Sequence, residues 1–154
     1  MSEYPENIEL VLIYKIDDDD VEHFTEKVNA KKVGDYYQIL SIPAFAKNLA
    51  YGDIVKVESE DEEFHFAEFI KESGHSVIHI VIFNLAEKEN LIANLKGFGC
   101  GVNIDVSDNY LVIDVPALTN YSNFKKYLDQ QQLQNIIDYS ESCLSYIHRQ
   151  FSSS

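Results

Sequence analysis

The chain has 154 residues, 45% of them hydrophobic and 12% aromatic, which excludes a disordered polymer and suits one domain, or two very small lobes sharing a core. Its 26 Asp and Glu against 12 Lys and Arg give a net charge of −14 at pH 7. With a single arginine, Arg149, it lacks the guanidinium forks that grip phosphates and carboxylates, so nucleic acid and anionic substrates are poor partners.

Two cysteines are too few for a disulfide framework. The opening Met-Ser-Glu-Tyr-Pro-Glu is unlike a signal peptide, and no apolar run approaches a membrane span. A cytoplasmic, reducing setting away from membranes is expected. Charge is unevenly distributed: residues 1–75 hold 7 Lys against 18 Asp and Glu, whereas residues 76–154 hold 5 basic against 8 acidic residues. A field of this sign steers cationic proteins toward the first half.

That first half reads as β structure. Ile8, Leu10, Leu12, Tyr14 and Ile16 alternate on one face of a first strand, with Val11 and Ile13 implying partial burial of the other. The run Asp17, Asp18, Asp19, Asp20 ends it, because four repelling carboxylates do not pack in a sheet. A second strand over residues 24–28 turns at Gly34-Asp35 into a third over residues 36–40. Pro43 lacks the donor a central strand needs, and residues 44–49 are expected to form one short helical turn. Tyr51-Gly52-Asp53 turns into a strand over 54–57, an acidic loop over 58–63 follows, and residues 64–70 form the next strand. Short strands with turn signals between them predict a small β-barrel or strongly curled antiparallel sheet for an acidic lobe, residues 1–75.

After Ser73-Gly74-His75 the pattern changes. Residues 77–83 form a nearly unbroken apolar strand, suited to burial on both faces. Asn84 can cap a helix over 87–96 that presents Leu91, Ile92 and Leu95 at helical spacing and stops at Gly97-Phe98-Gly99-Cys100-Gly101. Strands over 102–106 and 110–115 meet across Asp108-Asn109 as a hairpin. Thr119 or Asn120 can cap a helix carrying Tyr121, Phe124 and Leu128. From about Leu133 the spacing of Ile136, Ile137, Leu144, Ile147 and Phe151 predicts a final helix, with a short strand over 136–139 as the alternative. Residues 76–154 thus read as a β-α-β-β-α half of ferredoxin-like kind, and the whole as an α+β protein in one unit.

Three groups of residues are candidates for chemistry. A phosphate cradle needs glycines between a strand and the helix that follows; around Cys100 the order is helix, glycines, strand, with no P-loop lysine. Cys100 itself follows a helix C-terminus, where the dipole raises a thiol pKa, so it reads as a half-buried thiol in a cap turn. His75 and His79 lie about 13 Å apart on a predicted strand, too far to share a metal. With His23, His65 and His148 they read as surface or sheet residues, and no metal or cofactor is expected. Ser73, His75 and Ser76 are neighbours in a turn, but a triad needs a geometry that adjacency does not supply. The run Asp17–Asp20 lacks the glycine and glutamate of a calcium loop. There remain the two acidic runs, Asp17, Asp18, Asp19, Asp20 and Glu58, Glu60, Asp61, Glu62, Glu63, which strand ends of a small barrel can bring to one rim as a docking surface.

The stretch Ile42-Pro43-Ala44-Phe45-Ala46-Lys47-Asn48-Leu49-Ala50-Tyr51-Gly52-Asp53-Ile54-Val55 resembles the IPFFAKGLSYGDVV core of a bacterial family of unknown function. Ser73-Gly74-His75-Ser76, the leucine–glycine–cysteine pattern over 95–101, Ile113-Asp114-Val115-Pro116 and residues 139–144 follow in the family's order. That family brings no assigned activity to any residue. By analogy, small acidic proteins of this kind are similar to the immunity proteins encoded beside secreted or contact-delivered toxins. The expected function is therefore a non-enzymatic immunity protein whose acidic half holds a cationic toxin domain, possible nucleases included. The rival readings are a general cytosolic binding or regulatory domain without a toxin partner, and an enzyme built on Cys100 or His75.

Overall fold

In the computed structural model, which describes residues 4–14, 24–46 and 48–150, five strands of the first half curl into a closed barrel. Strand β1 (Asn7–Tyr14) pairs antiparallel with β2 (Phe24–Val33) from Asn7↔Lys31 to Tyr14↔Phe24. Antiparallel pairing continues through β3 (Tyr36–Ile39), β4 (Ile54–Glu60) and β5 (Glu63–Lys71). The closing pair, Leu10↔Phe64 and Val11↔His65, is parallel. Five strands that alternate in direction leave the first and last running the same way, so a closed five-stranded meander requires one parallel seam.

Alternation decides the barrel's interior. Leu10 and Leu12, Val28 and Ala30, Tyr37 and Ile39, and Val55 and Val57 point inward and are buried, each large side chain contributing roughly 1.5–3 kcal/mol relative to exposure. Of the two residues expected to bury the outer face of β1, Val11 does so at 4% exposure, whereas Ile13 is 60% exposed. The acidic run Asp17–Asp20 lies outside the described residues.

The connection from β3 to β4 replaces the expected helical turn. Asn48 has φ 64°, in the left-handed region, which an α-turn does not accommodate. The amides of Ala44, Phe45 and Ala46 instead converge on the Glu26 carboxylate of β2, at 2.6, 3.1 and 3.0 Å. A six-residue helix is costly to nucleate, and three charge-assisted bonds outweigh it. Farther on, Asp53 accepts the amides of Ala50 and Ser73, each at 2.9 Å, and Ser73 Oγ donates to the Tyr51 carbonyl at 2.7 Å. Gly52 sits at φ 86°, where a Cβ would lie 3.1 Å from Ser73 Cβ.

The chain divides into two compact units, Met1–Ser73 and Gly74–Ser154. The second contains a four-stranded antiparallel sheet of order β7-β8-β6-β9. Strand β6 (Ser76–Ile82) leads through a 3₁₀ turn capped by Asn84 into α1 (Lys88–Gly97), then the hairpin β7 (Gly101–Ser107) and β8 (Tyr110–Val115), and α2 (Tyr121–Leu133) capped by Asn120. Ile78, Ile80 and Ile82 of β6 meet Leu91 and Leu95 of α1 and Phe124 and Leu128 of α2 in one core.

Residues 133–150 are not one helix. Asn135, at φ 60°, ends α2, and the chain continues as β9 (Ile137–Cys143) and a single turn, α3 (Tyr146–Arg149). Strand β9 pairs along β6 from Ile82↔Ile137 to Val77↔Cys143. Without it, β6, apolar on both faces, would be an open sheet edge. The added strand completes a β-α-β-β-α-β unit. No helix among the described residues is long and apolar enough to cross a membrane.

Candidate functional site

The second acidic run occupies a hairpin, not a loop. Glu58 and Glu60 belong to β4 and Glu63 opens β5; Asp61 and Glu62 alone form the turn. Ladder pairing simply continues farther than the charge pattern implies: Glu60 lies opposite Glu63 and Glu58 opposite His65. Both turn residues are left-handed, with φ 51° at Asp61 and 66° at Glu62. This is the backbone that Asn-Gly usually supplies to a two-residue hairpin, and at residues with a Cβ it costs on the order of 1 kcal/mol or more each. All five acidic side chains are exposed, and like charges directly opposite, as at Glu60 and Glu63, repel.

Among the described residues a cation approaches this group: Lys27 Nζ of β2 is 3.9 Å from Glu63 Oε2, with both side chains at least half exposed. Such a pair contributes little and leaves the local field negative. Beside the turn of the hairpin a cleft of about 320 Å³ is lined by Ile8, Glu9, Val11, Lys27, Glu62 and Phe64, among others. Phe64 meets the edge of the Tyr4 ring at 5.4 Å, and the Tyr4 hydroxyl accepts the Ser59 amide at 3.0 Å, tying the N-terminal segment to the hairpin. The assembly is an exposed acidic ridge beside a half-apolar cleft, suited to holding cationic side chains. Asp17–Asp20 falls outside the described residues, so its position relative to this ridge is not part of the geometry.

The other candidates are engaged with different groups. Cys100 is buried, its amide bonded to the Leu95 carbonyl at 3.3 Å. Burial, with a smaller contribution from the Asp114 charge, pushes its thiol up to about 12, so at neutral pH it is a poor nucleophile. The three neighbours Ser73, His75 and Ser76 bond to three different groups: Ser73 to the Tyr51 carbonyl, His75 Nδ1 to Asp114 Oδ1 at 2.8 Å, and Ser76 Oγ to His148 Nδ1 at 2.5 Å. His75 precedes β6 instead of sharing the strand with His79, and His148 is wholly buried in α3, not a surface residue. His65 is half-buried on β5, and His23 lies outside the described residues. Asp114, half of the His75 pair, is raised by burial, with His75 opposing that shift.

Among the described residues no three His, Cys, Asp or Glu side chains are arranged to hold a metal ion. Sequence reasoning missed Glu26 and the Ser76–His148 and His75–Asp114 pairs. Their partners are 18 to 72 residues apart, beyond any local periodicity. Glu26 left one signal, an acid in a strand otherwise destined for a barrel interior.

A family model described as a domain of unknown function (DUF4265) matches residues 26–139. A hypothetical protein from Neisseria gonorrhoeae, known from a crystal structure, is 29% identical with a TM-score of 0.77, over 93% of this chain and 99% of that one. No curated protein matches. The matched segment begins at the Glu26 carboxylate and takes in the 40–53 connection and all of β3 to β8.

Proposed function

The chain belongs to the family described as a domain of unknown function (DUF4265), and from that premise we propose that it is a non-enzymatic immunity protein that neutralises a cationic toxin domain. The observation that carries the reading is the β4–β5 hairpin. Its five acidic residues are exposed on one hairpin, two of them bear a turn whose backbone is costly, and among the described residues a weakly held lysine approaches them. A chain of net charge −14 that concentrates carboxylates on a ridge would attract a basic partner before contact. A nuclease domain, which must be basic to hold phosphates, is the partner chemistry that gains most, because encounter and occlusion of its phosphate site use the same charges. Cys100 and His75 take no part: the first is a buried thiol and the second is committed to Asp114.

The test begins by co-expressing the chain with its neighbouring gene products and purifying the basic protein that copurifies. Association kinetics then compare wild type with a variant carrying amides at Glu60, Asp61, Glu62 and Glu63. The expected result at low salt is association slowed about tenfold or more, with dissociation less affected. The gap should close as the Debye length falls from about 10 Å at 0.1 M salt to about 3 Å at 1 M. The same exchange at Asp17 to Asp20 should act in the same direction if that run shares the surface. Wild-type association rates for the hairpin variant at low salt would remove the ridge from the mechanism. Failure to recover any basic partner would favour the general binding domain.

A further inference from the structure

A four-residue helix cannot hold itself in water, so tertiary contacts must fix α3. Ser145 Oγ caps it, accepting the His148 amide at 3.2 Å. The Ser145 amide in turn donates to Ser76 Oγ at 2.9 Å, and Ser76 Oγ lies 2.5 Å from His148 Nδ1. The imidazole is wholly buried and stacks on the Tyr121 ring at 5.0 Å and 20°.

Burial sets the charge of the ring. A serine hydroxyl has one proton and two lone pairs. One lone pair of Ser76 takes the Ser145 amide, and either its proton or its second lone pair meets His148 Nδ1, according to the tautomer. A neutral ring satisfies this contact in either tautomer. An imidazolium would bring a whole charge into the buried site.

The surrounding charges do not reverse that preference. From α2 the ring meets Tyr121, whose hydroxyl donates to Glu141 of β9. From β8 it feels the Asp114 carboxylate, which is engaged first by His75. From β6 comes Ser76, and on its own turn Ser145 and Arg149. A stacked ring and a carboxylate already paired elsewhere return less than the penalty of burying a whole ion.

We propose that residues 145–150 form an acid-released latch, closed by the neutral His148 imidazole on Ser76 and opened when that imidazole takes a second proton. A ring that must be neutral to dock, and that titrates at the ordinary histidine value of about 6.5 once free, lowers the closed-to-open ratio tenfold for each pH unit below that value. Release would uncover the Tyr121 ring and the Ser76 hydroxyl, both buried in the closed form.

The experiment uses the full chain labelled with ¹⁵N. Long-range imidazole spectra at pH 7.5 should show a neutral His148 ring, with one nitrogen protonated and the other bare. Amide protection at Ser145, His148 and Arg149, whose N–H groups are bonded in the closed form, should then fall about tenfold per unit, after correction for intrinsic exchange, as the pH is lowered below about 6.5. In His148→Gln, which cannot take up a proton, whatever protection remains should not vary with pH. Reading the charge of the ring needs no variant, so the proposal stands or falls even if His148→Gln fails to fold. A doubly protonated ring at pH 7.5, or a His148 that titrates while α3 keeps its protection, would overturn it.

Discussion

Replacing Glu26 with Gln preserves the shape of the side chain and removes one of the two oxygens that organise the 40–53 connection. Oε2 accepts the Ala44 amide at 2.6 Å, while Oε1 accepts Phe45 at 3.1 Å and Ala46 at 3.0 Å. The amide group of Gln will keep its oxygen at the Oε1 position, where it serves two donors, and turn its NH₂ toward Ala44. The Ala44 amide then faces another donor, and the two remaining bonds lose their charge assistance. A bond to a charged group contributes about 1.5–3 kcal/mol and a neutral one about 0.5–1.5 kcal/mol. Ala44 and Ala46 are buried, but Phe45 is 43% exposed, so water can replace part of its loss. The net cost is about 2–3 kcal/mol, which for a unit of this size lowers the melting temperature on the order of 10 °C. Far-UV circular dichroism melts measure the global effect. Amide exchange at Ala44 and Ala46 measures the local one, expected to quicken about 30- to 100-fold. Exchange at Ala44 within threefold of wild type in a folded Gln variant would show that the carboxylate does not hold this segment.

Gly52→Val combines an unfavourable positive φ with a Cβ 3.1 Å from that of Ser73; a loss of about 2–4 kcal/mol in urea unfolding is expected, with the folded fraction still binding its partner. Unchanged stability with binding abolished would make Gly52 a contact residue. Cys100 should resist iodoacetamide in the native chain at pH 8, because raising its thiol from 9.0 to about 12 lowers the thiolate fraction about a thousandfold. The same shift has a stability consequence: a raised acid contributes stability that is complete below about pH 9 and lost as pH climbs toward 12. Cys100→Ala should therefore flatten the alkaline side of the stability profile measured by urea titration. Cys100→Ala and His75→Ala should each leave toxin neutralisation intact; its loss in a folded variant would return the enzyme reading to consideration.

Where short-range patterns carry the information, the sequence was enough. The inward alternation of Leu10 and Leu12, the cap at Asn120, the Asp108-Asn109 hairpin and the change of character after Ser73 depend on residues a few positions apart, and the structure contains them all; Asn84 caps the 3₁₀ turn ahead of α1 instead of α1 itself. Residues 133–150 were ambiguous because Ile136, Ile137, Leu144 and Ile147 fit a helical and an extended period about equally well. What chose the strand was the bare edge of β6, a demand created more than fifty residues earlier in the chain. The fate of residues 44–49 likewise depended on a carboxylate in β2 that no local propensity encodes. The acidic residues were legible as a group, but not as a ridge. Only the ladder from Ile54↔Lys71 to Glu60↔Glu63 made strands of Glu58, Glu60 and Glu63, and left Asp61 and Glu62 to bear the turn. Composition and periodicity determine which surfaces must be buried; which distant group satisfies a given amide, edge or imidazole is settled only when the tertiary fold brings them within about 3 Å.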